Sequence, residues 1–226
     1  MTDRSQLGRS MIEMLGVLAV IGLLSVGGIA GYSKAMMNHK ISKTIEQINE
    51  ISARISAYGD QLSSYSGLNN YTAVRANLMP SGASYKKCEK NAYSLGYIRI
   101  DDKCNVINPF GGRIIVGAMN LNKVRASGTS FDEMAYGILY TGIPEEACLS
   151  LATHDWARGP NSSLVGLVVN ELAGNVKEFK DVSGLYLGCK GNGDHYACIH
   201  DIPVSPANAV KWCSPGDNNA LLLKYF

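Results

Sequence analysis

The stretch Met11–Tyr32, MIEMLGVLAVIGLLSVGGIAGY, is 22 residues of apolar sequence carrying one charge, Glu13, close to its start. At a rise of about 1.5 Å per residue, a helix of this length spans about 33 Å, against roughly 30 Å for the hydrocarbon core of a bilayer. A secretory signal peptide would present a small-residue cleavage site after its apolar core. Here the run passes into a long polar helical pattern with no such stop. A carboxylate near the end of a membrane helix costs a few kcal/mol to insert, which makes Glu13 a functional candidate.

Beyond Tyr32, Ile41, Ile48, Ile55 and Leu62 recur at seven-residue spacing, with Ile45 and Ile51 beside them. Lys40, Lys43, Glu46, Asn49 and Arg54 fall on the other faces, so the pattern is that of an amphipathic helix. The sequence predicts one helix continuing to about Leu62, with residues 9–32 apolar all round and residues 33–62 amphipathic. The isoleucine stripe needs a cover, and the domain that follows is the candidate in this chain. A coiled-coil stalk is the alternative, against which the repeat lasts only three heptads. Gly27 and Gly31 have the small-xxx-small spacing that lets helices approach closely. Each helical glycine also lowers helix propensity by about 1 kcal/mol.

Residues 63–92 are rich in Ser, Asn, Gly and Tyr and read as a long connection with a short helix near Thr72–Leu78. Strands are expected at Tyr93–Ile100, Arg113–Met119 and Met134–Tyr140, close enough in sequence to favour antiparallel pairing. Pro144 with Glu145 and Glu146 marks a helix start, running to about His154. Further strands or turns fall at Leu164–Asn170 and Leu185–Cys189. A helical segment follows at Ser205–Trp212, and an apolar run at Leu221–Phe226 suits a central strand. The fold class is therefore α+β, with an antiparallel sheet in a globular head, residues 63–226, packed on the second half of the long helix.

A net charge of +2 and 18% charged residues point neither to a nucleic-acid binder nor to a disordered chain. Six cysteines, Cys88, Cys104, Cys148, Cys189, Cys198 and Cys213, all lie past the apolar run, which suggests an oxidising, extracytoplasmic compartment for the head. The positive-inside rule is divided, with Arg4 and Arg9 before the run and Lys34, Lys40 and Lys43 after it. Cys189, His195, Cys198 and His200 could be read as zinc ligands, but the spacing is unlike paired structural sites and the compartment works against thiolates. A disulfide-closed turn from Cys189 to Cys198 is the better reading, and no metal or cofactor is expected. His154-Asp155 and His200-Asp201 are adjacent in sequence, which rarely lets two side chains face each other as a catalytic pair must. No Gly-x-Ser-x-Gly elbow or phosphate-cradling loop is present either, so no enzyme is expected. The tyrosines are scattered and not interleaved with cations as a single-stranded nucleic-acid groove requires.

Gly8, Glu13 five residues later and the apolar stretch beyond resemble the N-terminal signature of type IV pilins and their pseudopilin relatives. The resemblance implies a leader of residues 1–8, cut after Gly8 by a prepilin peptidase that methylates the new amine of Arg9. Arg9 stands where the family usually places an apolar residue. The resemblance also implies that Glu13 pairs with the amine of Arg9 on a neighbouring subunit, in a helical filament whose core is made of the apolar helices. Further along, Gly142-Ile143-Pro144-x-x-x-Cys148, with Cys213 shortly before a terminal apolar strand, looks like the longer-domain type IVb pilins and implies a Cys148–Cys213 disulfide. Six cysteines allow 15 pairings; that analogy together with proximity along the chain suggests Cys88–Cys104 and Cys189–Cys198 for the rest. The function so implied is that of a structural subunit of a type IV pilus, held in the bacterial inner membrane before an assembly machinery moves it into an extracellular fimbrium. The pilus would serve adhesion, aggregation, motility or conjugation. A minor pilin or type II secretion pseudopilin is the alternative within the family, and a membrane-anchored adhesin that never polymerises is the alternative outside it.

Overall fold

The computed structural model describes residues 5–59, 64–86, 88, 92–95, 98–101, 104–121, 133–156, 163–171 and 195–226. Helix α1 runs without a break from Ser5–Gly59, and the chain divides into two compact units, Met1–Lys40 and Ile41–Phe226. The first unit is helical over its described residues. The end of α1 expected at Leu62 lies outside the described residues; the last helical residue seen is Gly59.

In the second unit the strands β1 (Ser84–Lys86), β4 (Asn105–Ile107), β5 (Arg113–Met119), β6 (Ala135–Ile143), β7 (Leu164–Glu171), β8 (Tyr196–Cys198) and β9 (Asn219–Tyr225) form one sheet. Their order is β1-β4-β5-β6-β9-β7-β8, and every pairing is antiparallel. The C-terminal run is a central strand, as expected, with β6 on one side and β7 on the other. Both β9 and most of β6 are buried at every position, which requires cover on both faces.

The alternation of side chains across the sheet separates two rows of contacts. Tyr136, Ile138 and Tyr140 of β6 stand opposite Tyr225, Leu223 and Leu221 of β9. On the other face Ile115, Leu139, Leu222 and Val168 follow one another across four strands, within a cluster that includes Met119, Val165 and Cys198. One row on this second face is nearly bare: Gly117, Gly137, Lys224 and Gly166 are neighbours across β5, β6, β9 and β7. The missing side chains leave room for the long stem of Lys224, which is buried.

The expected strand Tyr93–Ile100 is not one strand. β2 (Ala92–Leu95) and β3 (Ile98–Asp101) pair with each other, Leu95 opposite Ile98, in a separate two-stranded ribbon. In sequence, Gly96 separates the two apolar halves of the expected strand. The short helix expected at Thr72–Leu78 is α2, Asn70–Arg75. It starts two residues earlier because Asn69 caps it, accepting from the Thr72 N–H while the Thr72 hydroxyl accepts from the Asn69 N–H. Helix α3 covers Glu145–Ala152, with Pro144 as its N-cap and the two glutamates in its first turn. Helix α4, Pro206–Trp212, is capped by the Ser205 hydroxyl.

Candidate assembly site

The first unit presents the apolar surface that the sequence pointed to. From Met11 to Met36 every residue of α1 is exposed, among them Ile12 at 75%, Leu23 at 78% and Tyr32 at 68%. The helix is long and apolar enough to cross a membrane. Glu13 is exposed near the start of this surface, and Gly8 and Arg9 lie in its helical backbone. A Cβ added at Gly16, Gly22, Gly27, Gly28 or Gly31 would meet nothing within 4 Å. The chain's own packing therefore does not require glycine at Gly27 or Gly31. Ser25 and Ser33 turn their hydroxyls back onto the carbonyls of Ile21 and Ile29, at 2.7 and 3.0 Å, which hides two polar groups along the apolar helix.

The second unit uses the rest of α1 differently. Ile41, Ile48, Ile51 and Ile55 are buried, as the heptad spacing requires. The buried stripe also contains Thr44, Gln47 and Ser52, which the spacing of isoleucines did not reveal. Two of these meet tyrosines from β6: the Tyr140 hydroxyl donates to Gln47 Oε1 at 3.4 Å, and that of Tyr136 donates to the Ser52 carbonyl at 3.1 Å. The Tyr136 hydroxyl also lies 2.9 Å from Ser56 Oγ. Rings extend the cluster, with Tyr136 stacked on Tyr225 at 5.2 Å and tilted against Tyr65 at 4.9 Å. Burial pushes the hydroxyls of Tyr136, Tyr140 and Tyr225 well above the usual tyrosine range, so all three stay protonated.

A polar clamp fixes the connection after α2 to the same helix. Arg54 pairs with Glu50 at 2.6 Å and donates to the carbonyls of Asn77 and Met79 at 3.0 and 2.7 Å. Glu50 in turn accepts from the Ser81 N–H and hydroxyl at 3.0 and 2.7 Å. Asn70, fully buried, works on the flank of the sheet. Strand β4 pairs with β5 only at Arg113 and Ile114, and beyond them the Asn70 amide donates to the Ile114 carbonyl at 2.8 Å and accepts from the Val116 N–H at 2.7 Å. The Leu68 carbonyl takes the next N–H, that of Ala118. A side chain and one carbonyl thus stand in for a strand.

The disulfides expected at Cys88–Cys104 and Cys148–Cys213 are both present, the second joining α3 to the end of α4 with its Cα atoms 5.9 Å apart. Cys198 is also disulfide-bonded; Cys189 and most of the turn it was expected to close lie outside the described residues. The expected strand Leu185–Cys189 lies there too. Among the described residues no group of His, Cys, Asp and Glu is placed to hold a metal. His154 packs edge-on against Trp156 at 4.6 Å, and burial lowers its pKa against the opposing pull of Asp155.

Sequence reasoning missed the buried asparagines. Asn108 holds its own hairpin, accepting from the N–H groups of Phe110 and Gly112 and donating to the Thr141 carbonyl at 2.7 Å. Gly112 is obligatory there, since a Cβ would run into the Thr141 carbonyl. Asn219 joins Ser214 to the Ile143 carbonyl. In sequence these residues look like ordinary turn formers.

Residues 38–224 match the model of the family described as PilS N terminal. The chain is 27% identical over 153 residues to the major structural subunit of bundle-forming pilus of Escherichia coli O127:H6, covering 68% of this chain and 67% of that one. It is 24% identical over 148 residues to the toxin coregulated pilin of Vibrio cholerae, covering 66% of this chain and 57% of that one. The crystal structure of a type IVb pilin from Salmonella typhi aligns with a TM-score of 0.47 at 15% identity, over 80% of this chain and 98% of the other. With a family match over most of its length, a long apolar helix and an antiparallel head, the chain belongs to the PilS N-terminal family of type IV pilins and is a structural pilus subunit, not an enzyme.

Proposed function

We propose that the subunit polymerises through Met11–Tyr32, the apolar helices of many copies forming the core of an extracellular filament. The observation that carries this reading is the full exposure of that surface beside the burial of the isoleucine stripe in the second unit. A helix that is apolar all round is stable in lipid and equally so among identical helices, where small residues such as Gly27 and Gly31 permit close contact. Before assembly the same surface holds the subunit in the inner membrane. Residues 1–8 are a leader removed after Gly8 by a prepilin peptidase, 9–32 the apolar part of the helix, 33–62 its amphipathic part and 63–226 the extracytoplasmic head.

Glu13 sets the register of assembly. A carboxylate in a filament core is strongly unfavourable unless paired, and the free amine of Arg9 on a neighbouring copy supplies the partner. The test is N-terminal sequencing and intact mass of filaments sheared from the native host, together with the Glu13→Ala variant. Chains should begin at Arg9, methylated or not. Glu13→Ala should insert into the membrane normally and form no filaments. Normal filaments from Glu13→Ala would refute the role of Glu13, and chains retaining Met1 and found only in membranes would point to a non-polymerising anchored adhesin.

A further inference from the structure

The head's disulfides do not join cysteines in the order of the chain. Cys88 pairs with the next cysteine, Cys104, but Cys148 pairs with Cys213 across a sequence separation of 65, passing over Cys189 and Cys198. Cys198 is disulfide-bonded too, and with four of the six cysteines joined to one another, counting leaves Cys189 as its partner. One bond is therefore enclosed in the loop of another.

Loop closure does not select this arrangement. Its cost rises with the logarithm of loop length. The observed bonds close loops of 65 and 9 residues, and the consecutive pairing, Cys148–Cys189 with Cys198–Cys213, closes loops of 41 and 15. The products of the two lengths are nearly equal, so an unfolded chain makes the two sets about equally often. Local structure does not decide either. Helix α3, which carries Cys148, and α4, which Cys213 ends, have 8 and 7 residues, too few to persist alone. They are brought together where β9, the last strand, pairs with β6: Ile143 stands opposite Asn219, and the Glu145 N–H donates to the Gly216 carbonyl. A chain oxidised before that pairing is trapped, because with all its cysteines in disulfides it has no thiolate left to begin an exchange.

We infer that the head is a substrate of a thiol–disulfide isomerase. It acts after a disulfide-carrying oxidant, reduced to its dithiol by each bond it makes, has oxidised the cysteines. In the folded head Cys148, Cys198 and Cys213 are buried, out of reach of a catalyst, so the exchange precedes folding. The isomerase thiolate attacks Cys198 of a Cys198–Cys213 bond and releases the Cys213 thiolate. This attacks Cys148 of the accompanying Cys148–Cys189 bond, forming Cys148–Cys213 and releasing the Cys189 thiolate. The Cys189 thiolate then attacks Cys198 in the mixed disulfide, forming Cys189–Cys198 and returning the isomerase thiolate. Two disulfides of the chain stand before and after, so no electrons are gained or lost. The step is independent of how α1 assembles.

The test dilutes the full chain, reduced and unfolded in guanidinium chloride, into detergent containing diamide. The oxidant is then removed, and half of the sample receives reduced protein disulfide isomerase. Lys or Arg separates every two consecutive cysteines, so trypsin places each in its own peptide and mass spectrometry reads the pairs. Without isomerase, Cys198–Cys213 and Cys148–Cys213 peptides should appear in comparable amounts, within about threefold. With it, Cys148–Cys213 should replace Cys198–Cys213. In the double variant Cys189→Ser with Cys198→Ser, the oxidant alone should give Cys148–Cys213, and the peptides report this whether or not the variant folds. The observed pairs alone in the unmodified chain without isomerase overturn the inference, because folding then directs the bonds unaided. Cys198–Cys213 that persists after isomerase is added overturns it as well. A double variant that still needs isomerase to form Cys148–Cys213 removes the enclosed pair as the cause and overturns the stated exchange.

Discussion

Helix α1 contains two solutions to one problem. Its isoleucines at 41, 48, 51 and 55 are buried within the second unit, whereas Met11–Tyr32 is exposed along its whole length. Both stretches are apolar and helical, and they differ in where the apolar surface is satisfied. In the proposed assembly the first depends on lipid or on other copies, whereas the second is covered by the sheet that follows it in the chain. The contrast teaches that burial within one chain measures only part of what a sequence is built to bury. It also explains why polar groups differ in kind between the two. Buried Gln47 and Ser52 have partners on tyrosines of β6, while Ser25 and Ser33 can only bond back to their own helix.

The sharpest way to break the contrast is to weaken the head without touching the exposed surface. Replacing Cys148 and Cys213 by serine removes a bridge across a sequence separation of 65, which in the chain-entropy account should cost the head about 4 kcal/mol. Urea unfolding followed by circular dichroism should show the midpoint fall, with membrane insertion unchanged. A matched pair of leucine-sized deletions comes next. Ile51→Ala should destabilise the head by about 3 kcal/mol, since Ile51 is fully buried. Leu23→Ala, at a position 78% exposed, should leave head unfolding where it was. Equal effects from the two would erase the distinction.

The mildest perturbation is alkaline pH. Burial raises the folded-state pKa of Tyr136, Tyr140 and Tyr225 above the unfolded value near 10. Their contribution is therefore fully present below pH 10 and declines as pH rises toward the folded values, because the unfolded chain loses its protons first. Between pH 10 and 10.5 the three together should cost about 1 kcal/mol, read as a shift in the head's thermal midpoint at constant ionic strength.

Much of this was legible because it repeats. The apolar run and the seven-residue spacing of isoleucines are periodic, and periodicity survives reading without a structure. So did the antiparallel strands at Arg113–Met119 and the central place of the C-terminal run. What could not be read depends on single contacts between distant residues. Nothing local says that Asn70 will bond across to Ile114 and Val116, or that Lys224 will be buried because Gly137 and Gly166 flank it on neighbouring strands. The division into β2 and β3 is hidden in the sequence because Tyr and Ile on both sides of Gly96 favour extended backbone equally. At the assembly site, residue types at Gly8, Arg9 and Glu13 came from a family signature, and geometry contributed the exposure of the helix they begin.

The amide of Asn70 occupies hydrogen-bonding groups on β5 that β4 leaves uncovered. An open sheet flank is a template that any passing strand can join. In a pilus subunit such a flank would offer a disordered route to aggregation. The Asn70 side chain and the Leu68 carbonyl close that flank from within, so the groups a strand of another copy would pair with are already taken.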